Sequence, residues 1–395
     1  MLRNRGLLKV ENVALVENAS NLSLLYHGPF RDAGGYAKMN REIVRQLSAL
    51  GVNVKTSILP SGRKCAELPI PDIELLSKSP VGKDAPYVAG SLAPGFLNTG
   101  HKRNIIFTMM ETQTISKRYI DKCNNCDELW LPCDWNFETF KDSGLKRPMY
   151  KVPLGVDVDL YNPDVEPMAI KGTEGKFVFL SVFGWSLRKG CDILVRSFAR
   201  AFANNPHVCL VISSRIWGSE EAGHANLIRE DISRFCRQEG ISPINNIIHI
   251  PHATPEEQMP SLFKAAHCFV LPSRGEGFGL PYAEAGACEV PVIATRHGGQ
   301  MEFLDDETAE FIDIEGYEKC KNLKLNLVSS YYTDDVLIAS LGNNAISALA
   351  DKMIDITKNY KDAKSKAVKL RQKLTENFTW KHSALAVIKR LNELR

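Results

Sequence analysis

Two glutamates in RGEGFGLPYAEA, residues 274–285, form the stretch of this sequence whose residue types most clearly suggest chemistry. Glu276 lies in a loop broken by glycines, and Glu284 lies about one turn into a helix that Pro281 is expected to begin. A carboxylate accepts hydrogen bonds well from the hydroxyl groups of a sugar or a ribose. Alternatively, Glu276 is solvated and Glu284 is a favourable charge near a helix start. The residues alone leave both interpretations open.

Two neighbouring cations form a second candidate site. Arg188 and Lys189, in SVFGWSLRKG (181–190), follow a predicted strand and precede a helix that Gly190 opens. A planar guanidinium and a compact ammonium beside a helix N-terminus are a suitable pair for holding a diphosphate. The alternative is a solvated basic pair, but the position at the end of a strand favours binding.

Two adjacent glycines form a third candidate site. Gly34 and Gly35, in YHGPFRDAGGYAKM (26–39), join the first clear strand to its helix. Glycines there allow the backbone to approach a ligand, and the free N–H groups of the helix favour an anion. A flexible loop is the equal alternative, and the absence of G-x-G-x-x-G argues against an NAD-type site. His27 ends the same strand, but a lone histidine is more often structural.

Two further patterns resemble metal sites, but neither predicts one. Asp157 and Asp159 form a D-x-D that lies in a predicted linker rather than at a strand end. Cys123 and Cys126 form a C-x-x-C that no second pair follows at a suitable spacing. We therefore expect no metal and no cofactor.

Short apolar runs and amphipathic stretches alternate along the first part of the chain, and these are the elements that must position the candidate residues. Predicted strands cover 22–26, 53–59, 104–110 and 127–132, and a helix covers 36–51. This alternation predicts a parallel sheet covered by helices.

The pattern restarts after VPLGVDVDLYNPD (152–164), which is rich in Pro, Gly and Asp, as a linker should be. Predicted strands then cover 177–184, 207–213, 247–250, 267–273 and 290–294, and a helix covers 191–202. The sequence therefore predicts an α/β protein with two doubly wound domains in tandem. Ligands bind at the carboxyl ends of the strands in such sheets, so a cleft between the two domains is the expected site.

Composition supports a soluble, cytosolic protein. The 395 residues suffice for roughly two domains, with 44% hydrophobic and 24% charged residues. A net charge of +3 is too small to argue for nucleic acid. The ten scattered cysteines fit reduced thiols, and no signal peptide or spanning helix is visible. Contact of Arg3, Arg5 and Lys9 with an anionic membrane is the weaker alternative to a solvated tail.

Taken together, these stretches resemble the large retaining glycosyltransferase family with the GT-B fold, which includes sucrose synthases and many bacterial mannosyltransferases. The most diagnostic match is PSRGEGFGLPYAEAGACEVPVIATRHGG (272–299), which is similar to the family's E-x(7)-E segment. Segments 34–51, 152–163 and 177–201 resemble its glycine loop, its linker and its phosphate-binding strand and helix. The resemblance implies two Rossmann-like domains facing across a cleft. They would be an acceptor-side domain at 1–155 with a final helix from about 378–395, and a nucleotide-sugar domain at 165–377.

The resemblance also implies roles for single residues. Glu276 would hold hydroxyls of the donor sugar, and Lys189 with Arg188 would neutralise the diphosphate, so these three are the expected catalytic residues. Glu284 would hold the ribose, and backbone groups would contact sugar and phosphate. The expected donor-binding residues are Gly34, Gly35, Phe278, Gly279, Leu280 and Glu284.

The chain departs from the family pattern at two places. The family often has Gly-Arg where this sequence has Phe183 and Gly184, so we expect Arg188 to substitute for that arginine. The family often has a histidine where this chain reads Met-Met-Glu, ending at Glu111. Glu111 and, less strongly, His27 are therefore the acceptor-side candidates.

The function implied by the resemblance is transfer of a hexose from a UDP- or GDP-linked donor to a hydroxyl group, with retention and without a metal. The acceptor would be a glycan, a polysaccharide or a lipid-linked glycan, as in polysaccharide biosynthesis. Two alternatives are a non-catalytic sugar-nucleotide-binding or scaffolding subunit of a glycan assembly complex, and a GT-B-like sugar-nucleotide epimerase.

Overall fold

The computed structural model describes residues 19–60, 68–92, 99–203, 205–216, 221–241, 245–323 and 335–395. These residues divide into two compact units. The first unit takes its described residues from Met1–Met110, Lys117–Gly155 and Phe378–Arg395, and the second from Glu111–Ser116 and Val156–Asn377. This division differs from the predicted domains at Glu111–Ser116, which group with the second unit.

The described strands and helices alternate along the chain. The strands are β1 (Ser23–Gly28), β2 (Asn53–Ile58), β3 (Tyr87–Gly90), β4 (Asn104–Phe107), β5 (Glu128–Leu131), β6 (Met149–Lys151), β7 (Phe177–Gly184), β8 (Val208–Arg215), β9 (Ile247–Ile250), β10 (Cys268–Leu271), β11 (Val292–Thr295), β12 (Glu310–Ile312), β13 (Tyr317–Lys319) and β14 (Leu337–Ala339). The α-helices are α1 (Gly35–Ala49), α2 (Pro71–Leu76), α3 (Lys117–Cys123), α4 (Asp134–Asp142), α5 (Cys191–Phe202), α6 (Glu221–Gln238), α7 (Met259–Lys264), α8 (Leu280–Ala287), α9 (Asn343–Lys358), α10 (Tyr360–Asn377) and α11 (Trp380–Glu393). Short 3-10 helices cover Ala19–Asn21, Glu256–Gln258, Gly299–Glu302 and Cys320–Leu323.

The first unit contains a parallel sheet in the order β2-β1-β3-β4-β5-β6. Its strand order reverses between β1 and β3, which is the place where ligands bind in open α/β sheets. The sequence patterns did not predict β3 or β6, because strands of four and three residues show too little periodicity.

The second unit contains a parallel sheet in the order β12-β11-β10-β7-β8-β9 and a small antiparallel pair, β13 with β14. Here the strand order reverses between β7 and β10. The predicted strand 177–184 and helix 191–202 match β7 and α5 at both ends. With two doubly wound parallel sheets, the predicted α/β fold class is confirmed.

Aromatic packing forms much of the core of the second unit. The buried ring of Phe179 on β7 stacks against Phe202 of α5 and meets Phe198 edge-on. Both faces of a parallel sheet are covered, so its central strands are nearly continuous apolar runs. The apolar run of β7, broken only by Ser181, therefore predicted a buried strand correctly.

The last helix, α11, groups with the first unit. It starts at Trp380 behind a capping box formed by Thr379 and His382. Arg390 near its C-terminus forms an ion pair with Glu128 of β5, which also accepts a hydrogen bond from the Trp130 indole at 2.6 Å. These contacts with the buried Glu128 anchor the end of the chain to the sheet.

Among the helices that the structure describes, none has both the length and the apolar content needed to cross a bilayer. The three basic residues considered for membrane contact, Arg3, Arg5 and Lys9, lie outside the described residues.

Candidate active site

The strand order of the second unit brings two loops together. Strands β7 and β10 are parallel neighbours, with Phe179 opposite Cys268. The loop after β7 carries Arg188 and Lys189, and the loop after β10 carries Glu276. Parallel strands end at the same edge of the sheet, so these loops meet where the strand order reverses.

Lys189 and Glu276 form a buried ion pair at this edge. The Lys189 Nζ lies 2.6 Å from Oε1 and 2.7 Å from Oε2 of Glu276. The glutamate is 4% exposed, so the alternative of a solvated carboxylate is wrong. Burial raises the pKa of Glu276, but the charges of Lys189 and Arg188 outweigh it and hold that pKa below its usual value. Burial and Arg188 hold the pKa of Lys189 below its usual value, against the opposing effect of Glu276.

Arg188 is also enclosed rather than solvated. Its Nη2 lies 3.5 Å from Oε1 of Glu111, and its Nη1 donates a hydrogen bond to the Gly275 carbonyl at 2.7 Å. Glu111, which the sequence placed on the acceptor side, thus lies beside the cations of the second unit. The expectation that Arg188 replaces a family arginine stays a prediction, since Arg188 here binds a carboxylate and a carbonyl.

Backbone contacts also hold the same two loops against each other. The Arg274 N–H donates to the Arg188 carbonyl at 2.7 Å. Gly190, the N-cap of α5, has φ +73, and a methyl group added there would lie 1.9 Å from the Pro272 carbonyl oxygen. The glycine after Lys189 is therefore required by both backbone conformation and close approach.

Helix α8 positions the second glutamate of the pattern. The helix begins at Leu280, one residue before the predicted start, because Gly279 in a left-handed conformation serves as its N-cap. Glu284 is 7% exposed, so it is not a surface charge near a helix start. The Phe278 ring packs against Phe303 at a centroid distance of 5.2 Å. The loop and helix thus form one buried unit around Glu276 and Glu284.

A loop after β11 completes this edge, and the sequence interpretation assigned it no role. The Gly299 N–H donates to the Glu276 carbonyl at 2.8 Å. A methyl group at Gly299 would lie 2.1 Å from the Gly277 carbonyl oxygen. Two consecutive glycines after a predicted strand, in ATRHGG, were the available signal. His297, which precedes the two glycines, is buried, and its ring centroid lies 5.6 Å from that of Tyr317.

The dependence of stability on pH tests the burial of His297. Burial lowers the pKa of His297 from 6.5 to about 4, so only the unfolded chain binds its proton between these values. The free energy of unfolding should therefore fall as the pH drops through this window, by up to about 3 kcal/mol from this group. Urea unfolding at about pH 7 and about pH 4.5 measures the change. In a His297→Gln variant, the free energy of unfolding should change less between the two pH values. If it changed as much as in the native protein, the pH dependence could not be assigned to His297.

In the first unit, the predicted glycine loop is held by buried side chains. The Asn40 amide donates to the Pro29 carbonyl at 2.8 Å, and Arg41 donates to the carbonyls of Phe30 and Asp32, both at 2.8 Å. The Asp32 carboxylate accepts a hydrogen bond from the N–H of Gly34 at 2.7 Å. The loop is therefore anchored at several points, which argues against the flexible-loop alternative. Helix α1 begins at Gly35, with Gly34 as N-cap.

His27 lies inside the first unit, on β1. Its Nδ1 is 3.0 Å from the Ser57 hydroxyl, and its ring stacks on Tyr87 with centroids 5.9 Å apart. Burial lowers the pKa of His27, so the ring is neutral near pH 7. These contacts are those of a packed structural histidine, and its acceptor role stays a prediction.

Residues of the two patterns that resemble metal sites make hydrogen bonds within the protein. The Asp157 carboxylate accepts hydrogen bonds from the N–H groups of Asp159 and Leu160, both at 3.0 Å. Cys123 and Cys126 are buried, and the Cys126 thiol donates to the Cys123 carbonyl at 3.0 Å. Within the described residues, no three His, Cys, Asp or Glu side chains are grouped so that they could hold a metal ion.

Comparison with known proteins relates this geometry to a family. The GDP-mannose-dependent alpha-(1-6)-phosphatidylinositol monomannoside mannosyltransferase of Mycolicibacterium smegmatis is 24% identical over 290 residues, 70% of this chain and 72% of that protein. Anabaena HepE, solved with UDP and glucose, matches with a TM-score of 0.65 and 13% identity over 94% of this chain and 100% of the other. Sucrose-phosphate synthase of Thermosynechococcus elongatus matches with a TM-score of 0.65 and 17% identity over 94% and 99%.

These structural likenesses show the GT-B fold. The family model described as Family 4 Glycosyltransferase in conflict systems matches residues 137–387, which is more than half of the chain. The resemblance found in the sequence is thereby confirmed. The protein belongs to the family 4 glycosyltransferases in conflict systems.

Proposed function

We propose that this protein transfers a hexose from a UDP- or GDP-linked donor to a hydroxyl group of a glycan, with retention of anomeric configuration and without a metal ion. The observation that carries the proposal is the Lys189–Glu276 ion pair, buried where the strand order of the second sheet reverses. A charged pair at that place offers an ammonium to a diphosphate and a carboxylate to sugar hydroxyls.

The choice of donor class draws on two proteins of related sequence or fold. The mycobacterial mannosyltransferase is GDP-mannose-dependent, and HepE was also solved with UDP-glucose. Both donors are nucleoside diphosphate sugars, so they require the same cationic diphosphate site and the same acceptor for ribose hydroxyls. Glu284, buried on α8, is our candidate for the ribose.

The mechanism relies on the charge that develops on the leaving diphosphate. In a transition state resembling an oxocarbenium ion, negative charge accumulates on the phosphate oxygens while the bond to the sugar lengthens. In this proposal Lys189, Arg188 and the N-terminus of α5 stabilise this charge, and interactions that strengthen in the transition state raise the rate. The leaving phosphate then accepts the proton of the attacking hydroxyl on the same face of the sugar, which gives retention.

Glu276 acts on the sugar rather than as a nucleophile. Lys189 holds both of its oxygens, so the carboxylate stays ionised and its orientation is fixed. Each carboxylate oxygen has more than one lone pair and can accept a sugar hydroxyl without giving up the lysine. Since the lysine already neutralises part of its charge, the pair binds a donor without burying an isolated charge.

A panel of nucleotide sugars tests the proposal. Purified protein is incubated with UDP- and GDP-linked hexoses, with and without EDTA and glycan acceptors. Thermal shift, donor consumption and the anomeric proton signals of the product are then recorded. We expect a shift with one nucleotide class, transfer that EDTA does not slow, and an axial or equatorial configuration equal to that of the donor. Binding without turnover would indicate the non-catalytic subunit, an epimerised sugar nucleotide would indicate the epimerase, and inversion would contradict retention.

Replacing Gly35 with alanine separates a ligand contact from a structural role. A methyl group added at Gly35 meets no atom within 4 Å, so stability should be unchanged or raised by up to about 1 kcal/mol. If the diphosphate or the acceptor approaches the backbone here, the methyl group should raise the KM by about tenfold or more. Thermal unfolding and steady-state kinetics measure the two effects. Unaltered kinetics would remove Gly35 from the site.

A further inference from the structure

Arg274 is a buried cation at the proposed site, and the proposed mechanism assigns it no role. The residue is 2% exposed and lies two positions before Glu276. Its Nη1 donates to Oδ1 of Asp192 and its Nη2 to Oδ2, both at 2.8 Å, in a two-pronged ion pair. Asp192 lies in the first turn of α5, where a negative charge also favours the helix.

The same guanidinium also binds two backbone carbonyls. Nη1 donates to the Leu187 carbonyl at 2.6 Å, within the loop that carries Arg188 and Lys189. Nη2 donates to the Leu341 carbonyl at 3.2 Å, in the segment that precedes α9. The Arg274 side chain, on the loop that carries Glu276, therefore binds three other parts of the chain. These are the loop that carries Arg188 and Lys189, the start of α5 and the segment that precedes α9.

We propose that Arg274 is a positioning residue for the reaction: its guanidinium locks the loop of Lys189 to the loop of Glu276 and so aligns the ion pair with the donor. The inference rests on the proposed function, because it names what orients the groups that act on the donor. Arg274 itself is enclosed by Asp192 and the two carbonyls. Its assigned role is thus to act through its neighbours rather than by touching substrate.

The geometry requires arginine rather than any cation. Four acceptors in three segments are met by two nitrogens of one planar group, which a guanidinium presents in a rigid fork. A lysine at this position keeps the charge but has a single nitrogen, so it cannot reach both Asp192 oxygens and both carbonyls in this arrangement. The Arg274→Lys variant therefore removes hydrogen bonds that join these segments while leaving a countercharge for Asp192.

Misalignment of the ion pair should affect the transition state more than the bound donor. Charge on the leaving diphosphate is largest in the transition state, so a shifted ammonium costs more there than in the ground state. A displacement of about 1 Å is enough to lower a rate by about a hundredfold. For Arg274→Lys we expect kcat to fall between about tenfold and a hundredfold, with the donor KM changed by less than about threefold.

The matched control is Arg200→Lys. Arg200 lies in the last turn of the same helix and binds Glu239 and the Ser347 hydroxyl, at 2.5 and 2.7 Å. It is thus another arginine with a carboxylate and a second acceptor, but at the opposite end of α5 from Asp192. Its kcat and KM should equal those of the native protein.

Hydrogen exchange provides a readout that does not depend on turnover. In the ligand-free Arg274→Lys protein, amides in 185–190 and 272–279 should exchange at least about tenfold faster than in the native protein, while β7 and β10 stay protected. Arg200→Lys should leave both loops unchanged. This pattern distinguishes release of the two loops from a general loss of stability.

The outcomes separate this inference from the proposed function. Faster exchange in both loops together with a lowered kcat and a nearly constant KM supports the positioning role. A lowered kcat with unchanged exchange, native kinetics in Arg274→Lys, or a large rise in KM alone would overturn it. If the native protein transfers no sugar from any donor of the panel, the proposed function fails, and faster exchange then supports loop anchoring alone.

Discussion

Replacing Glu276 with glutamine should lower the rate of sugar transfer by about a hundredfold to a thousandfold at saturating donor. The amide keeps the size of the side chain but removes the charged acceptor for sugar hydroxyls, and it leaves Lys189 without its countercharge. Loss of one group that stabilises the transition state typically costs about 10²–10³ in rate. The same change should lower the free energy of unfolding by about 3–5 kcal/mol, because a buried ammonium loses its partner. Steady-state kinetics and urea unfolding measure the two losses.

A double variant separates the two effects. In Glu276→Gln with Lys189→Met, no unpaired charge remains buried, so most of the lost stability should return. Transfer should stay at the level of the single variant, since neither the carboxylate nor the ammonium is present. If Glu276→Gln retained more than about a tenth of the native rate, this ion pair could not be the centre of the active site.

The second large effect is expected at Gly275. A methyl group added there would lie 1.7 Å from the carbonyl oxygen of Glu111, so one of the two backbones must move. Gly275 also presents the carbonyl that Arg188 binds, and it directly precedes Glu276. We expect Gly275→Ala to lower the free energy of unfolding by about 3 kcal/mol and transfer by about a hundredfold.

The control for Gly275 is Gly82→Ala. A methyl group at Gly82 meets no atom within 4 Å, and its φ is not in the left-handed region. Its stability and its kinetics should equal those of the native protein. Native-like activity and stability in Gly275→Ala would show that the contact with Glu111 is not needed for the site.

Much of the fold could be predicted because its signals are local. The apolar run of β7 and the 3.6-residue period of α5 lie in short contiguous stretches, and their predicted ends match the structure. Where the signal was short, prediction failed: YVAG at β3 and MYK at β6 are too brief to show a period. The predicted strand 104–110 ends at Phe107, because its last residues belong to the loop that follows β4.

The part of the site that lies within the single stretch 274–285 could also be predicted. Glycines, a proline and two glutamates at fixed spacing indicated a strand, a loop and a helix start, and the structure has all three in that order. The burial of Glu276 could not be predicted, because solvation depends on what packs against the loop. The contribution of the HGG loop after β11 was missed for the same reason, since its contacts are with another loop.

The sequence by itself determined the class of the longer elements, the α/β alternation and the residue types available for chemistry, since these depend on periodicity and on backbone freedom at glycine. Only the tertiary structure decided which residues meet. Lys189 and Glu276 are 87 residues apart and pair because β10 lies beside β7, an order that no local pattern specifies. Arg274 reaches Asp192 for the same reason. Strand order follows from how whole helices and strands pack, so the partners of these charges are a property of the folded chain.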